Sequence, residues 1–550
     1  MTKKLISLVI ILSMMLTLTA CKNNADNEEA LLDVNTPKTE ADNSSSENAP
    51  SNSTQDTAAG QNTPTATDDK AVAESVTGTS GDPYTIYDGN WTIQGEIMND
   101  NGFTPDDRSQ YGKITENVFV KTEEENTSTF AADIDTASYA IVRRYLANGY
   151  NIPADAVRIE EMINYFNYDY GTPKNNEPFS VVTESFDCPW SDSKLVRIGL
   201  ATAEPDYTKM PASNLVFLID VSGSMDTPNK LPLVKQAFSM LTENLKATDK
   251  VSIVTYASSD KVVIEGFGAD KQMEIQNAIE NLTAGGGTYG SQGIITAYQL
   301  AEKYFIKGGN NRVILATDGD LNIGITNTDE LTKLITDKKQ SGIYLSVMGF
   351  GTDNLMDDKL EAIADNGNGN YSYIDSSLEA RKVLIEEMGG TLFTVAKDVK
   401  LQVEFNKDAI SEYRLVGYEN RVMANEDFDD DSKDGGEIGA GHRMTVIYEV
   451  KSKDIENEKW LDLSIRYKAP DEDTSKLLTY SVGKDNYTNA PSEDSLFTAS
   501  VAQFGMLLRK SENTTGDYAN VLTRIENLEC VKNDVYKKEF LGFVKKLAGE

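Results

Sequence analysis

Five continuous apolar runs stand in the middle of the chain: Leu215–Ile219, Val251–Tyr256, Val313–Thr317, Tyr344–Phe350 and Tyr371–Ile374. They do not alternate with polar residues, which is the pattern of strands covered on both faces. Helical spacing fills the gaps. Val234, Phe238, Leu241 and Leu245 fall on one face of a helix, and Leu331, Leu334 and Ile335 do the same further on. Strand alternating with helix predicts an α/β fold built on a doubly wound, mostly parallel sheet, with any ligand beyond the carboxyl ends of the strands.

The flanks carry a different rhythm. Ser180–Phe186 and Leu195–Ala201 ahead of the central segment, and Leu401–Phe405, Arg443–Val450, Leu461–Tyr467 and Leu477–Val482 behind it, alternate partially, as half-buried strands do. The economical expectation is one β-sandwich into which the central domain is inserted. Helical stripes close the chain: Phe497, Val501, Phe504 and Leu508, then Tyr518, Val521, Ile525 and Leu528, most simply core packing. At the other end, from Lys22 to about Asp82, Asn, Ser, Thr, Ala and acidic residues dominate and no periodicity survives. Such a segment buries too little apolar surface to offset its ordering entropy and is expected to be disordered. As a coil of about 60 residues it reaches on the order of 40 Å. The expected organisation is a signal peptide at 1–21, a tether at 22–110, an N-terminal α+β region at 111–212, the central domain at 213–395, a β-rich domain at 396–490 and C-terminal helices at 491–550.

Lys3 and Lys4 precede an apolar run from Leu5 to Leu18, then Leu18-Thr19-Ala20-Cys21. A basic start, a short apolar stretch and small residues before a cleavage point make a secretory signal. The run is shorter than the roughly 20 residues that span a bilayer. The tetrapeptide resembles a bacterial lipobox, which implies lipidation at Cys21 and a chain held by palmitate-type acylation on the extracytoplasmic face of a cell membrane. Composition narrows the partners. A net charge of −35 argues against nucleic acid, because phosphate binding needs a basic face. The single histidine, His442, rules out a two-histidine zinc site and leaves little room for a Ser-His or Cys-His pair. Beyond Cys21, only Cys188 and Cys530 remain, to pair or stay free.

The first apolar run ends in Asp220-x-Ser222-x-Ser224, three oxygen side chains on one tight loop. Gly285-Gly286-Gly287-Thr288 and Arg312-Val-Ile-Leu-Ala-Thr-Asp318-Gly-Asp320 each bring one more oxygen ligand into a loop. Carboxylate and hydroxyl oxygens without sulfur or imidazole suit a hard cation, Mg²⁺ first, with Mn²⁺ or Ca²⁺ as alternatives. The competing reading is that Ser222 and Ser224 cap the helix beginning near Lys230.

On these residues the segment from about Ser213 to Gly390 resembles a von Willebrand factor type A (VWA) domain. The resemblance implies a metal-ion-dependent adhesion site, MIDAS, made of Asp220, Ser222, Ser224, Thr288 and Asp318. In that family the two serines bind the metal directly, the aspartates directly or through water, and the threonine in the ligand-occupied form, with one position left for an acidic residue of a partner. Asp133-Ile-Asp-Thr-Ala-Ser-Tyr139, Arg158-Ile-Glu-Glu-Met-Ile-Asn-Tyr-Phe166, Asn310–Asp320 and Gly417-Tyr-Glu-Asn-Arg421 further resemble a bacterial lipoprotein family that carries a VWA domain between family-specific N- and C-terminal regions.

Asp133 and Asp135 could form a second metal site or a carboxylate pair, but the simpler expectation is that Asp135 and Thr136 start a helix carrying Tyr139, Val142, Arg143 and Leu146. The run Asp427 to Glu437 lacks the glycine an EF-hand needs at its sixth position and reads as a solvated hairpin loop, with weak Ca²⁺ binding as the alternative. The expected function is membrane-tethered, Mg²⁺-dependent gripping of a protein partner's Asp or Glu carboxylate. A structural or assembly factor of an envelope complex with metal-independent contacts is the alternative. No enzyme is expected, since nothing positions Asp226, Asp320 or His442 as a general base.

Overall fold

The computed structural model describes the strands at 84–87 and 90–93 and residues 108–549, apart from 176, 207–208, 289, 320–327 and 352–354. The signal segment and Cys21 lie outside the described residues. Within the span counted as tether, Tyr84–Tyr87 and Asn90–Ile93 form an antiparallel hairpin. Its signals are aromatic and β-branched residues on either side of an Asp-Gly pair in the sequence, a pattern too short to register as periodicity. Among the described residues, no helix is long and apolar enough to cross a membrane.

The central sheet has six strands in the order Tyr371–Ile374, Ile343–Phe350, Asn310–Thr317, Ser213–Asp220, Lys250–Tyr256 and Asp260–Gly268. All pairings are parallel except the last. Ser213–Asp220 and Asn310–Thr317 are buried at every position, which is why they read as unbroken apolar runs. Helices cover both faces. Phe238 of helix Leu231–Glu243 stacks on Phe217, their ring centroids 4.3 Å apart. Helix Gly290–Lys303 packs on the other side, where Ile294, Ala297, Tyr298 and Ala301 join a core with Val216, Leu218 and Tyr256. The strand order reverses between Ser213–Asp220 and Asn310–Thr317. That switch point opens a crevice at the strands' carboxyl ends.

The flanking strands form one sandwich. Arg443–Ser452 pairs antiparallel with Lys194–Ala201, which pairs with Ser180–Asp187, so strands from before and after the central domain share a sheet. In the facing sheet Thr394–Phe405 lies between Thr127–Ala131 and Leu461–Lys468. Phe130, Val196, Ile198, Leu401, Val403, Tyr448 and Trp460 fill the space between the two sheets. The C-terminal helices Glu493–Arg509, Tyr518–Ile525 and Val535–Ala548 pack on a separate aromatic core. Phe497 and Phe540 of these helices pack against Phe166 there, and Phe504 against Phe540.

Cys188 and Cys530 are both free thiols. The segment Asp427 to Glu437 is more than a hairpin loop. Val422–Met423 before it and Gly436–Gly439 across its end pair with Thr127–Ala131 and Thr394–Phe405 respectively. The ammonium of Lys400 donates to the carbonyl oxygens of Asp427 and Asp430, and that of Lys468 to Asp431, so cationic side chains already sit on this loop's carbonyls.

Candidate metal centre

Strand Ser213–Asp220 delivers the Asp220 carboxylate fully buried at its carboxyl end. The chain then turns sharply. The Ser222 N–H donates to Asp220 Oδ1 at 2.8 Å, so the carboxylate fixes the loop that follows it. A 3₁₀ turn at Gly223–Met225 brings the Ser222 and Ser224 hydroxyls to 3.0 Å of each other. Neither serine caps a helix. The residue before helix Leu231–Glu243 is Lys230, and no side chain caps that end. The capping alternative therefore does not describe this loop.

The glycine-rich segment is laced to the same loop by backbone. Gly285 N–H donates to the Val221 carbonyl at 2.8 Å and Gly223 N–H to the Gly286 carbonyl at 3.0 Å. Gly286 has φ of +86°, and a β-carbon there would come within 2.7 Å of Ser258 Oγ. Only glycine fits that position. Thr288, half-buried, ends this glycine-rich segment, two positions ahead of helix Gly290–Lys303.

Asp318 arrives from the adjacent strand, buried like Asp220. Its Oδ2 accepts from the Lys230 ammonium at 3.0 Å, and both side chains are enclosed. Its Oδ1 is buried with no hydrogen-bond partner among the described residues. Gly351, at φ of +81°, leaves the room for the lysine stem, since a β-carbon there would lie 2.3 Å from Lys230 Cε. Burial pushes the Asp220 carboxyl up to about 6 despite the opposing bonds from Ser222, and Asp318 adds to the rise. Thr317 Oγ1 lies 3.5 Å from Asp220 Oδ2, and Tyr256 stands opposite Asp220 on the neighbouring strand. Asp226 is exposed, and Asp320 lies outside the described residues.

The donor set is oxygen throughout. Two carboxylates at adjoining strand ends, one with an orphaned buried oxygen, together with paired hydroxyls, fit a hard divalent cation. Sequence reasoning missed Lys230. A lysine ten positions after Asp220 and just before an amphipathic helix carries no signal by itself; its role depends on a strand far along the chain.

Residues 214–387 match the von Willebrand factor type A domain, and residues 105–197 a further family described as von Willebrand factor. Residues 390–549 match the family described as "Uncharacterized protein YfbK, C-terminal". The Escherichia coli (strain K12) protein YfbK is 39% identical over 433 residues, 74% of this chain and 75% of its own length. The chain belongs to the YfbK family. The junction between the 214–387 and 390–549 matches falls just before strand Thr394–Phe405, where the central domain returns its chain to the sandwich. A Synechocystis protein, sll0103, is 34% identical over 193 residues, 34% of this chain and 44% of that one. A solved von Willebrand factor type A structure from Catenulispora acidiphila aligns with a TM-score of 0.39 and 16% identity, covering 68% of this chain and 91% of its own.

Proposed function

We propose that this protein is a membrane-tethered, extracytoplasmic adhesion-type protein that grips an acidic group of a protein partner through a divalent cation, Mg²⁺ first, at its VWA domain. The observation that carries the reading is the buried Oδ1 of Asp318, which has no hydrogen-bond partner among the described residues, beside the Asp220 loop. Asp220, Ser222, Ser224, Thr288 and Asp318 would hold the metal. When bound, the cation supplies a coordination position that a partner's Asp or Glu carboxylate can fill.

The chain's own residues do the rest. The Ser222 N–H holds Asp220 in a fixed rotamer. The Gly285 and Gly223 backbone bonds keep the Thr288 loop in register with the serine loop. Lys230 offsets part of the negative charge, so the pocket is stable before a cation arrives. The signal at Leu18-Thr19-Ala20-Cys21 supports lipid anchoring at Cys21, with the polar segment behind it as a leash.

The test is capture of envelope proteins from the source organism by the full-length chain, in Mg²⁺ and in EDTA, with Asp220→Ala as control. Capture that needs both Mg²⁺ and Asp220 supports the reading. Capture indifferent to EDTA and to the substitution transfers the weight to a structural or assembly role with metal-independent contacts.

A further inference from the structure

Away from the VWA site, three carboxylates converge where the sandwich, the N-terminal helices and the central domain meet. Asp133 follows strand Thr127–Ala131, and Glu160 and Glu161 open helix Ile159–Asn164. One oxygen from each lies within 4.8 Å of the other two, and all three residues are buried. Asp133 Oδ1 accepts from the Asp135 N–H at 3.1 Å and its Oδ2 from Arg421 Nε at 3.1 Å. Glu161 Oε1 accepts from Arg158 at 2.8 Å and Oε2 from the Ser138 N–H at 2.7 Å. Each of those oxygens keeps a second lone pair.

Glu160 is different. It is 1% exposed, and its Oε2 has no partner among the described residues. That is an unsatisfied, buried carboxyl oxygen on one of the three converging side chains, a costly arrangement unless something fills it. The nearby guanidinium groups are already committed. Arg158 is shared among Glu161, Asp357 and Glu361, and Arg421 among Asp133, Glu361 and Asp365. Arg509 is held by Glu419 and by the Val157 carbonyl. Room for the Glu160 carboxyl is made by Gly417, at φ of +81°, where a β-carbon would lie 2.6 Å from Oε2.

We propose that Asp133, Glu160 and Glu161 hold a divalent cation of the calcium class, a second metal site separate from the Asp220 centre. Opposite oxygens on one Ca²⁺ stand about 5 Å apart, twice its usual bond length, and a carboxylate-only set suits a hard cation. The ion ties the sandwich to helix Ile159–Asn164. Through Arg158 and Arg421, which bridge the same carboxylates to helix Asp357–Asn366, it also fixes the VWA domain on its base. Its role is structural: it sets how firmly the adhesion domain is seated.

The test uses the full-length chain carrying Asp220→Ala, which removes the VWA site, titrated calorimetrically with Ca²⁺ alone. The expected result is one bound Ca²⁺ per chain and a rise in unfolding temperature over EDTA. Adding Glu160→Gln, which keeps the shape and removes the charge, weakens that binding at least tenfold. Crystals of Asp220→Ala soaked in Ca²⁺ place anomalous density among the three carboxylates, a readout that stands even where the double variant folds poorly. No Ca²⁺ binding by Asp220→Ala, unchanged binding after Glu160→Gln, or no density at the cluster overturns the proposal and leaves Glu160 a protonated, purely packed side chain.

Discussion

Replacing Lys230 by methionine separates the two partners that Asp318 can have. The ammonium lies 3.0 Å from Asp318 Oδ2 with both side chains enclosed, so it is the cation that neutralises this carboxylate before a metal arrives. Breaking a buried pair by removing one member costs roughly 3–5 kcal/mol, because the other charge is left uncompensated. Methionine has nearly the same length and fills the groove beside Gly351, so packing is conserved and the loss falls on electrostatics. In EDTA the Lys230→Met chain should therefore unfold several degrees below the parent. A divalent cation at the site relieves the penalty that the substitution creates. If about 1.4–2.8 kcal/mol of it is recovered on binding, metal affinity rises ten- to a hundredfold, at 1.4 kcal/mol per factor of ten. Titration calorimetry with Mn²⁺ and Mg²⁺ on parent and variant reads this directly, with unfolding curves in EDTA and in saturating metal as the second leg of the cycle. Unchanged or weaker metal binding by Lys230→Met would refute the reasoning, since the lysine and the cation would then not share Asp318.

Three further outcomes are expected. Gly286→Ala forces a β-carbon toward Ser258 Oγ at a backbone angle that favours glycine, so it should weaken Mg²⁺ binding about tenfold or more while the far-ultraviolet circular dichroism stays that of the parent. Arg143→Met strands Asp375, Glu379 and Glu539 in the interior between the N-terminal helix, the VWA domain and the C-terminal helices; a stability loss of about 3–5 kcal/mol is expected in urea unfolding, with metal affinity unaltered. In EDTA, burial first and Glu419 next push the Glu160 carboxyl up to about 8, against 4.5 unfolded. The native state then holds a proton that the unfolded chain releases, so this contribution is complete below pH 4.5 and is lost as pH rises toward 8, by about 1.4 kcal/mol per pH unit. Glu160→Gln should flatten that slope in unfolding experiments across the same window.

What the sequence reveals and what it hides divide along physical lines. Strands buried on both faces show as unbroken apolar runs, so five of the six strands of the central sheet are readable from Leu215 onward. The sixth, Asp260–Gly268, is a half-exposed antiparallel edge, and its mixed surface breaks the run. Asp220, Ser222 and Ser224 sit within five residues, and the loop geometry follows from that spacing. Lys230 and Asp318 are 88 positions apart, and only the parallel pairing of their neighbouring strands and the kink at Gly351 bring them together. Asp135 and Thr136 do stand at the start of helix Ala137–Asn148, as the start-signal reading holds, but no side chain caps it. Asp135 Oδ1 instead accepts from the Tyr371 N–H at 3.2 Å, and Asp133 pairs with Arg421. Glu160 and Glu161 look in the sequence like ordinary acids in the first turn of a helix. Their burial is set by sandwich strand Arg443–Ser452 and by helices Ala137–Asn148 and Glu493–Arg509 packed on their own helix, which no local pattern encodes.

Crystals grown or soaked in Mn²⁺ test most directly, through anomalous scattering, for a hard cation at the Asp220 loop. The expected result is a strong peak held by Ser222 and Ser224 with Asp220, Asp318 and Thr288 around it, absent from Asp220→Ala crystals of the same form. A parent structure at saturating Mn²⁺ with no peak there, and with Lys230 still on Asp318, would contradict a metal-dependent adhesion site in this chain.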